Sequence, residues 1–132
     1  MPGADLMDIK LELDVAAIKR LEAAAVTAAG KTGEAVLAEI RSAQVMPFDN
    51  GTMQNTDTYA TETYRDGEAV CVDIITDSPQ ARRLYYHPEY DFQTVNNPNA
   101  GGMWYEPWLS GGTEEDFAEE TFMRLFAEEA GL

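Results

Sequence analysis

The stretch TDTYATETYRDGEAVCVDIIT, residues 56–76, decides the fold class. Its two arms, Thr56 to Arg65 and Glu68 to Thr76, are rich in threonine, tyrosine, valine and isoleucine, the residues that suit a pleated, half-buried surface. Between them Asp66-Gly67 is a favoured two-residue turn for a β-hairpin. With Asp66 and Gly67 as the loop, Arg65 faces Glu68. Thr63 with Val70, Thr61 with Val72 and Tyr59 with Ile74 then share the core face, leaving Tyr64, Glu62, Cys71 and Asp73 on the other.

Working outward, residues 7–13 (MDIKLEL) alternate Met7, Ile9, Leu11 and Leu13 with charged neighbours, the period of a strand with one buried face. Asp14 ends that alternation and is suited to cap a helix. Residues 14–45 read as two helices. The first carries Ile18, Leu21, Ala25 and Ala28 and stops at Gly30; the second runs from Thr32 to about Val45 with Val36, Leu37, Ile40 and Ala43 as its stripe, ended by Pro47. Residues 46–55 are turn chemistry and lack the ligand spacing of an EF-hand. At the far end, Thr113 to Asp116 reads as a capping box for an acidic helix over 113–131. Phe117, Thr121, Leu125 and Glu128 line one side of it, with Phe122 and Phe126 adjacent. The expected architecture is α+β: a small, mainly antiparallel sheet of the N-terminal strand and the hairpin, packed by two to three helices, with a long aromatic arm over 82–109.

At 132 residues this is one domain with a single modest core. Nine basic against 24 acidic residues give a net charge of -15, which disfavours nucleic acid and anionic membrane surfaces as partners. Acidity of this size serves solubility, or keeps DNA from sticking where a protein lines its path. Cys71 is the sole cysteine, so no intrachain disulfide can form, and its strand-like surroundings suit a small packed residue. Met1 to Asp5 do not begin a secretion signal and no apolar run reaches membrane-spanning length, so a soluble cytoplasmic product is expected.

Residues 82–109 hold Tyr85, Tyr86, Tyr90, Phe92, Trp104, Tyr105 and Trp108, seven of the chain's thirteen Phe, Tyr and Trp residues, together with its one histidine, His87. A short helix through Ala81 to Tyr86 is expected before His87-Pro88, and residues 96–102 (NNPNAGG) form loop. That much aromatic surface is either pinned onto a core or presented to a partner. We take Tyr85, Tyr86, His87, Tyr90, Phe92, Trp104, Tyr105 and Trp108 as a candidate interface, since tryptophan and tyrosine act as interface anchors. Catalysis is poorly served. His87 has no serine or cysteine partner signalled by its context, and Glu89, Asp91 and Glu106 are acids of the kind that an acidic chain brings near one another by chance. One histidine and one cysteine cannot build a tetrahedral metal site, and no glycine loop has a nucleotide-binding context, so neither metal nor cofactor is expected. Trp104, Tyr105 and Trp108 beside Asn97 and Asn99 leave open a carbohydrate- or protein-binding module, and an enzyme of unknown type is the remaining rival.

Ala81 to Phe92 and Asn97 to Leu109 resemble the tyrosine-rich ARxLYYHPEY(N/D)F and the following NPNAxGxWxEPWL of the minor capsid protein family, found in structural-gene clusters of tailed phages and prophages of Gram-positive bacteria. A second resemblance is to that family's VPFxTGxLQNS, matched here by Val45, Pro47, Phe48, Gly51, Gln54 and Asn55; Asn50 and Met53 depart from it. The resemblance runs in order from about Met7 to Leu109 and constrains the last helix weakly. It implies a non-enzymatic virion component, minor capsid or head-to-tail connector (neck), whose partners are other phage structural proteins and itself in a ring. Related small α+β proteins serve as connector, neck or tail-completion components.

Overall fold

The computed structural model describes residues 14–48 and 51–132. The expected strand over 7–13 lies outside them. The chain is α+β, helices packed with two small antiparallel two-stranded sheets. Its backbone is one long helix, α1 (Val15–Ala43), 29 residues and about 43 Å at 1.5 Å per residue. As expected, Asp14 caps it, its carboxylate accepting from the Ala17 N–H at 3.0 Å. The far end closes earlier than Pro47, at Gln44, which adopts a left-handed φ of 56°.

The two helices expected over 14–45 are therefore one. Gly30 does not stop the helix, although a glycine in a helix interior costs about 1 kcal/mol relative to alanine. The reason is tertiary. Gly33 lies under the hairpin, where an added Cβ would stand 2.7 Å from Val72 Cγ2, and a Cβ on Gly30 would stand 3.6 Å from Thr63 Cγ2. The missing side chains let the hairpin lie directly on α1, and that packing offsets the local cost.

The hairpin is made of β1 (Thr58–Ala60), β2 (Tyr64–Asp66), β3 (Ala69–Cys71) and β4 (Ile74–Thr76). The expected register is not the one formed. Arg65 pairs with Val70 and Asp66 with Ala69, so the loop is Gly67-Glu68, with Gly67 at φ 62° in the first central position, as in turns that need positive φ there. Nearer the base, Tyr59 pairs with Ile75, and the Thr61 N–H donates to the Asp73 carbonyl at 2.8 Å. Glu62 and Thr63 thus face the single residue Val72, a β-bulge that changes the pairing between base and tip. In consequence Thr58, not Tyr59, enters the core, and Tyr59 is exposed.

A short helix α2 (Thr52–Asn55) precedes β1, α3 (Ala81–Tyr85) follows β4, and a 3-10 turn (Glu106–Trp108) leads to α4 (Phe117–Ala130). The last helix is shorter than expected. Residues 113–116 form turns, Asp116 caps without a side-chain bond, and Glu115 instead accepts from the Gly111 N–H at 2.7 Å, so no capping box forms. The aromatic core sits at the C-terminal end of α1, where Ile40, Met46, Ala81 and Trp104 are buried together. Arg41 staples that end. Its guanidinium donates to the carbonyls of Gln54 at 3.2 Å, Asn55 at 3.2 Å and Thr58 at 2.8 Å, joining α1 to α2 and β1. The other half of α1 packs against α4; Ala24, Ala28, Ala29 and Thr32 on α1 and Thr121 on α4 are buried, and Lys31 pairs with Glu129.

Candidate functional site

The aromatic segment is not a free arm. Trp104 is 2 % exposed and fills the chain's own core, with Tyr85 edge-on to it at 4.8 Å between ring centres. Tyr85, Tyr105 and Trp108 are half-buried against the same cluster. An arm would leave these rings in water; burying an aromatic side chain against Ile40 and Met46 removes that apolar surface from solvent.

Hydrogen bonds hold the loop that follows. The fully enclosed Asn97 donates from Nδ2 to the Met46 carbonyl at 2.9 Å and to Gln54 Oε1 at 2.7 Å. Asn99 Nδ2 donates to the Ala43 carbonyl at 2.9 Å, the Gly101 N–H to the Val45 carbonyl at 3.1 Å, and Gln93 to the Phe48 carbonyl. Gly102 allows the return approach, since a Cβ there would lie 2.9 Å from Pro88 Cα. Gln93, Asn97, Asn99 and Gly101 thereby tie their loop to residues 43–48 and to Gln54.

A directed chain of hydroxyls runs beneath. The Met53 carbonyl can only accept, so Thr58 Oγ1 donates to it at 2.6 Å; Thr76 Oγ1 must then donate to Thr58 at 2.9 Å, and the Tyr105 hydroxyl to Thr76. Burial raises the Tyr105 pKa, keeping the phenol protonated as this role requires; the neighbouring Thr76 and Trp104 pull the other way. The indole N–H of Trp104 lies near the Tyr105 oxygen without meeting hydrogen-bond geometry, and that of Trp108 is likewise unpartnered. Tyr85 is also raised, first by burial and then by the Glu106 charge.

The other four predicted residues lie outside that cluster, Tyr86 and Tyr90 exposed and His87 and Phe92 half-buried. Tyr86 is 63 % exposed and packs edge-on to Tyr85 at 5.1 Å. His87 stacks on Tyr90 at 4.7 Å and bonds Glu89 at 2.7 Å through Nδ1, which holds the Glu89 carboxyl below its usual range. Phe92 sits 6.5 Å from Tyr90. The candidate set therefore divides into a core group, Tyr85, Trp104, Tyr105 and Trp108, and a surface group, Tyr86, His87, Tyr90 and Phe92.

Between the groups opens a shallow groove of about 360 Å³, lined by Thr76, Ala81, Arg82, Tyr85, Tyr86, Trp104 and Tyr105. Its lining offers rings, hydroxyls and one guanidinium, which suits binding a side chain more than transferring a proton. Among the described residues no group of three or more histidine, cysteine or acidic side chains could hold a metal ion. No helix among them is long and apolar enough to cross a membrane.

Sequence reasoning missed Arg41, Gln54 and the role of Asn97. The signal for the last two was present, since both belong to the quoted motifs. No family model matches the chain, and no curated protein or solved structure matches it either.

Proposed function

We propose that this chain is a structural protein of a tailed-phage or prophage virion, a minor capsid or head-to-tail connector component that acts by subunit assembly and not by catalysis. The observation that carries the reading is the docking of the two resembling segments on each other: Gln54 and Asn97, one from each motif, meet in a buried hydrogen bond of 2.7 Å. Residues that recur together in two separate motifs are accounted for by that lock, which holds a loop and needs no substrate. It also presents Tyr86 and Tyr90 outward on a fixed frame, and exposed tyrosines on rigid backbone are efficient interface anchors.

The net charge of -15 supports a subunit whose free copies associate only weakly, because like charges oppose chance association. The sugar-platform alternative is weakened by Trp104, whose enclosed ring offers no face for stacking. The experiment is a particle assay. Purified virions should contain the chain, and Tyr86→Ser with Tyr90→Ser should leave heads and tails unjoined while the isolated protein still folds. Particles lacking the chain would remove the reading; normal joining would remove these two tyrosines from it.

A further inference from the structure

Arg82 and Arg83 are adjacent and exposed, and neither guanidinium forms an ion pair or a hydrogen bond among the described residues. The same holds for Lys19, Arg20 and Arg65 among the described residues. Lys31 is taken by Glu129, Arg124 by Glu128 and Arg41 by three carbonyls. What sets Arg82 apart is its place: it helps to line the groove in front of Trp104, and Arg83 follows it in α3.

A complementary surface lies on α4. Met123 is 61 % exposed there, the most exposed large apolar residue within the helices of the described residues. Glu119 and Glu120 precede it by four and three residues, which places both carboxylates beside it on one face of the helix. Both are exposed and neither is in an ion pair among the described residues.

From this match we propose that a second copy of this chain seats the outer face of its α4 on the groove, with Met123 against the rings of Tyr85 and Tyr86 and with Glu119 and Glu120 paired to Arg82 and Arg83. The inference names the partner of the assembly surface and rests on that reading. A thioether is well suited to aromatic walls, Arg and carboxylate form charge-assisted bonds, and an amphipathic helix lying in a groove is a recurrent mode of recognition. Within one chain the contact cannot close, because α4 packs by its opposite face on the N-terminal half of α1 while the groove lies at the other end. The two patches differ, so the contact is heterologous and propagates to a ring or a filament. Overall repulsion between acidic copies is screened beyond about 8 Å at physiological salt, leaving the charges at the contact to decide.

Sedimentation velocity of the full chain from micromolar to millimolar concentration tests this. The wild type should form concentration-dependent oligomers. Arg82→Glu with Arg83→Glu should weaken them by about tenfold or more, as should Glu119→Arg with Glu120→Arg, while the four changes combined should restore them. Lys19→Glu with Arg20→Glu alters the charge equally at a distance and should change association by less than about twofold. Circular dichroism verifies that each variant folds. A wild type that stays monomeric throughout, or oligomers indifferent to the arginine changes, overturns the proposal, and so does binding of some other acidic protein at Arg82 without self-association. Presence in particles is read separately: a chain found there with this contact absent keeps the virion role, and a restored charge swap without presence in particles keeps only the contact.

Discussion

The C-terminal half of α1 is buried under rings and hydrogen bonds, whereas its N-terminal half is covered by alanine-sized contacts with α4. At the first, Ile40 and Val36 meet a Trp104-centred cluster, and Arg41 and Asn97 tie α2, β1 and Met46 to it. At the second, Ala24, Ala28 and Ala29 of α1 and Thr121 of α4 are buried where the two helices pack, and one exposed ion pair joins Lys31 to Glu129. Small side chains bury little area each, so that half depends on the length of the contact and not on any one residue. The aromatic half instead concentrates its stability in a few large groups. The outward-facing Tyr86 and Tyr90 are carried by that half.

Trp104→Ala should have the largest effect, a loss of about 3–5 kcal/mol in urea unfolding, because it empties a ring-sized space that Tyr85 and Ile40 cannot refill. A loss no larger than that of a surface substitution would erase the difference between the halves. Next, Asn97→Ala and Gln54→Ala should each cost about 1–3 kcal/mol, since each leaves a buried polar partner unsatisfied. The double variant should lose less than the two together, and strict additivity in the cycle would show that they do not act as one unit.

Along α1 two glycines sharpen the contrast with opposite signs. Gly33→Ala forces a Cβ to within 2.7 Å of Val72, and overpacking of about 1–3 kcal/mol outweighs the helix gain, lowering the melting temperature. Gly30→Ala meets Thr63 at an ordinary 3.6 Å, so its helix gain of up to about 1 kcal/mol survives and the melting temperature rises. Two shifts of the same sign would mean that the hairpin does not press on α1 as described.

The smallest effect is at the exposed tip. Tyr64 donates to Asp73 at 2.8 Å, and that bond, with desolvation and the Asp73 charge behind it, pushes its pKa up to about 12. A raised value means the bond's contribution is complete below the ordinary phenol pKa near 10 and fades as pH climbs toward 12. Asp73→Asn should return the Tyr64 titration, followed by its ring NMR signals, toward 10; an unchanged midpoint would exclude Asp73 as the cause.

Much of this was legible residue by residue. Asp14 as a cap, α3 after Ser78-Pro79, the hairpin and the terminal acidic helix all follow from local chemistry. The register did not, because Asp-Gly announces a turn without saying which residues occupy its centre, and the bulge at Glu62 and Thr63 answers to Val72 and Gly33 across the fold. Nor could pattern divide the eight candidate aromatic and histidine positions into core and surface, since tyrosine and tryptophan serve both.

What the amino-acid order determined alone is the α+β class, the acidity, the capped start of α1 and the pair of motif segments. Tertiary structure decided that α1 runs unbroken through Gly30, that Trp104 turns inward while Tyr86 turns outward, and that Gln54 finds Asn97. The physical reason is one of scale: local preferences amount to about 1 kcal/mol per residue, and a buried ring or a satisfied buried amide, assembled from distant parts of the chain, outweighs them.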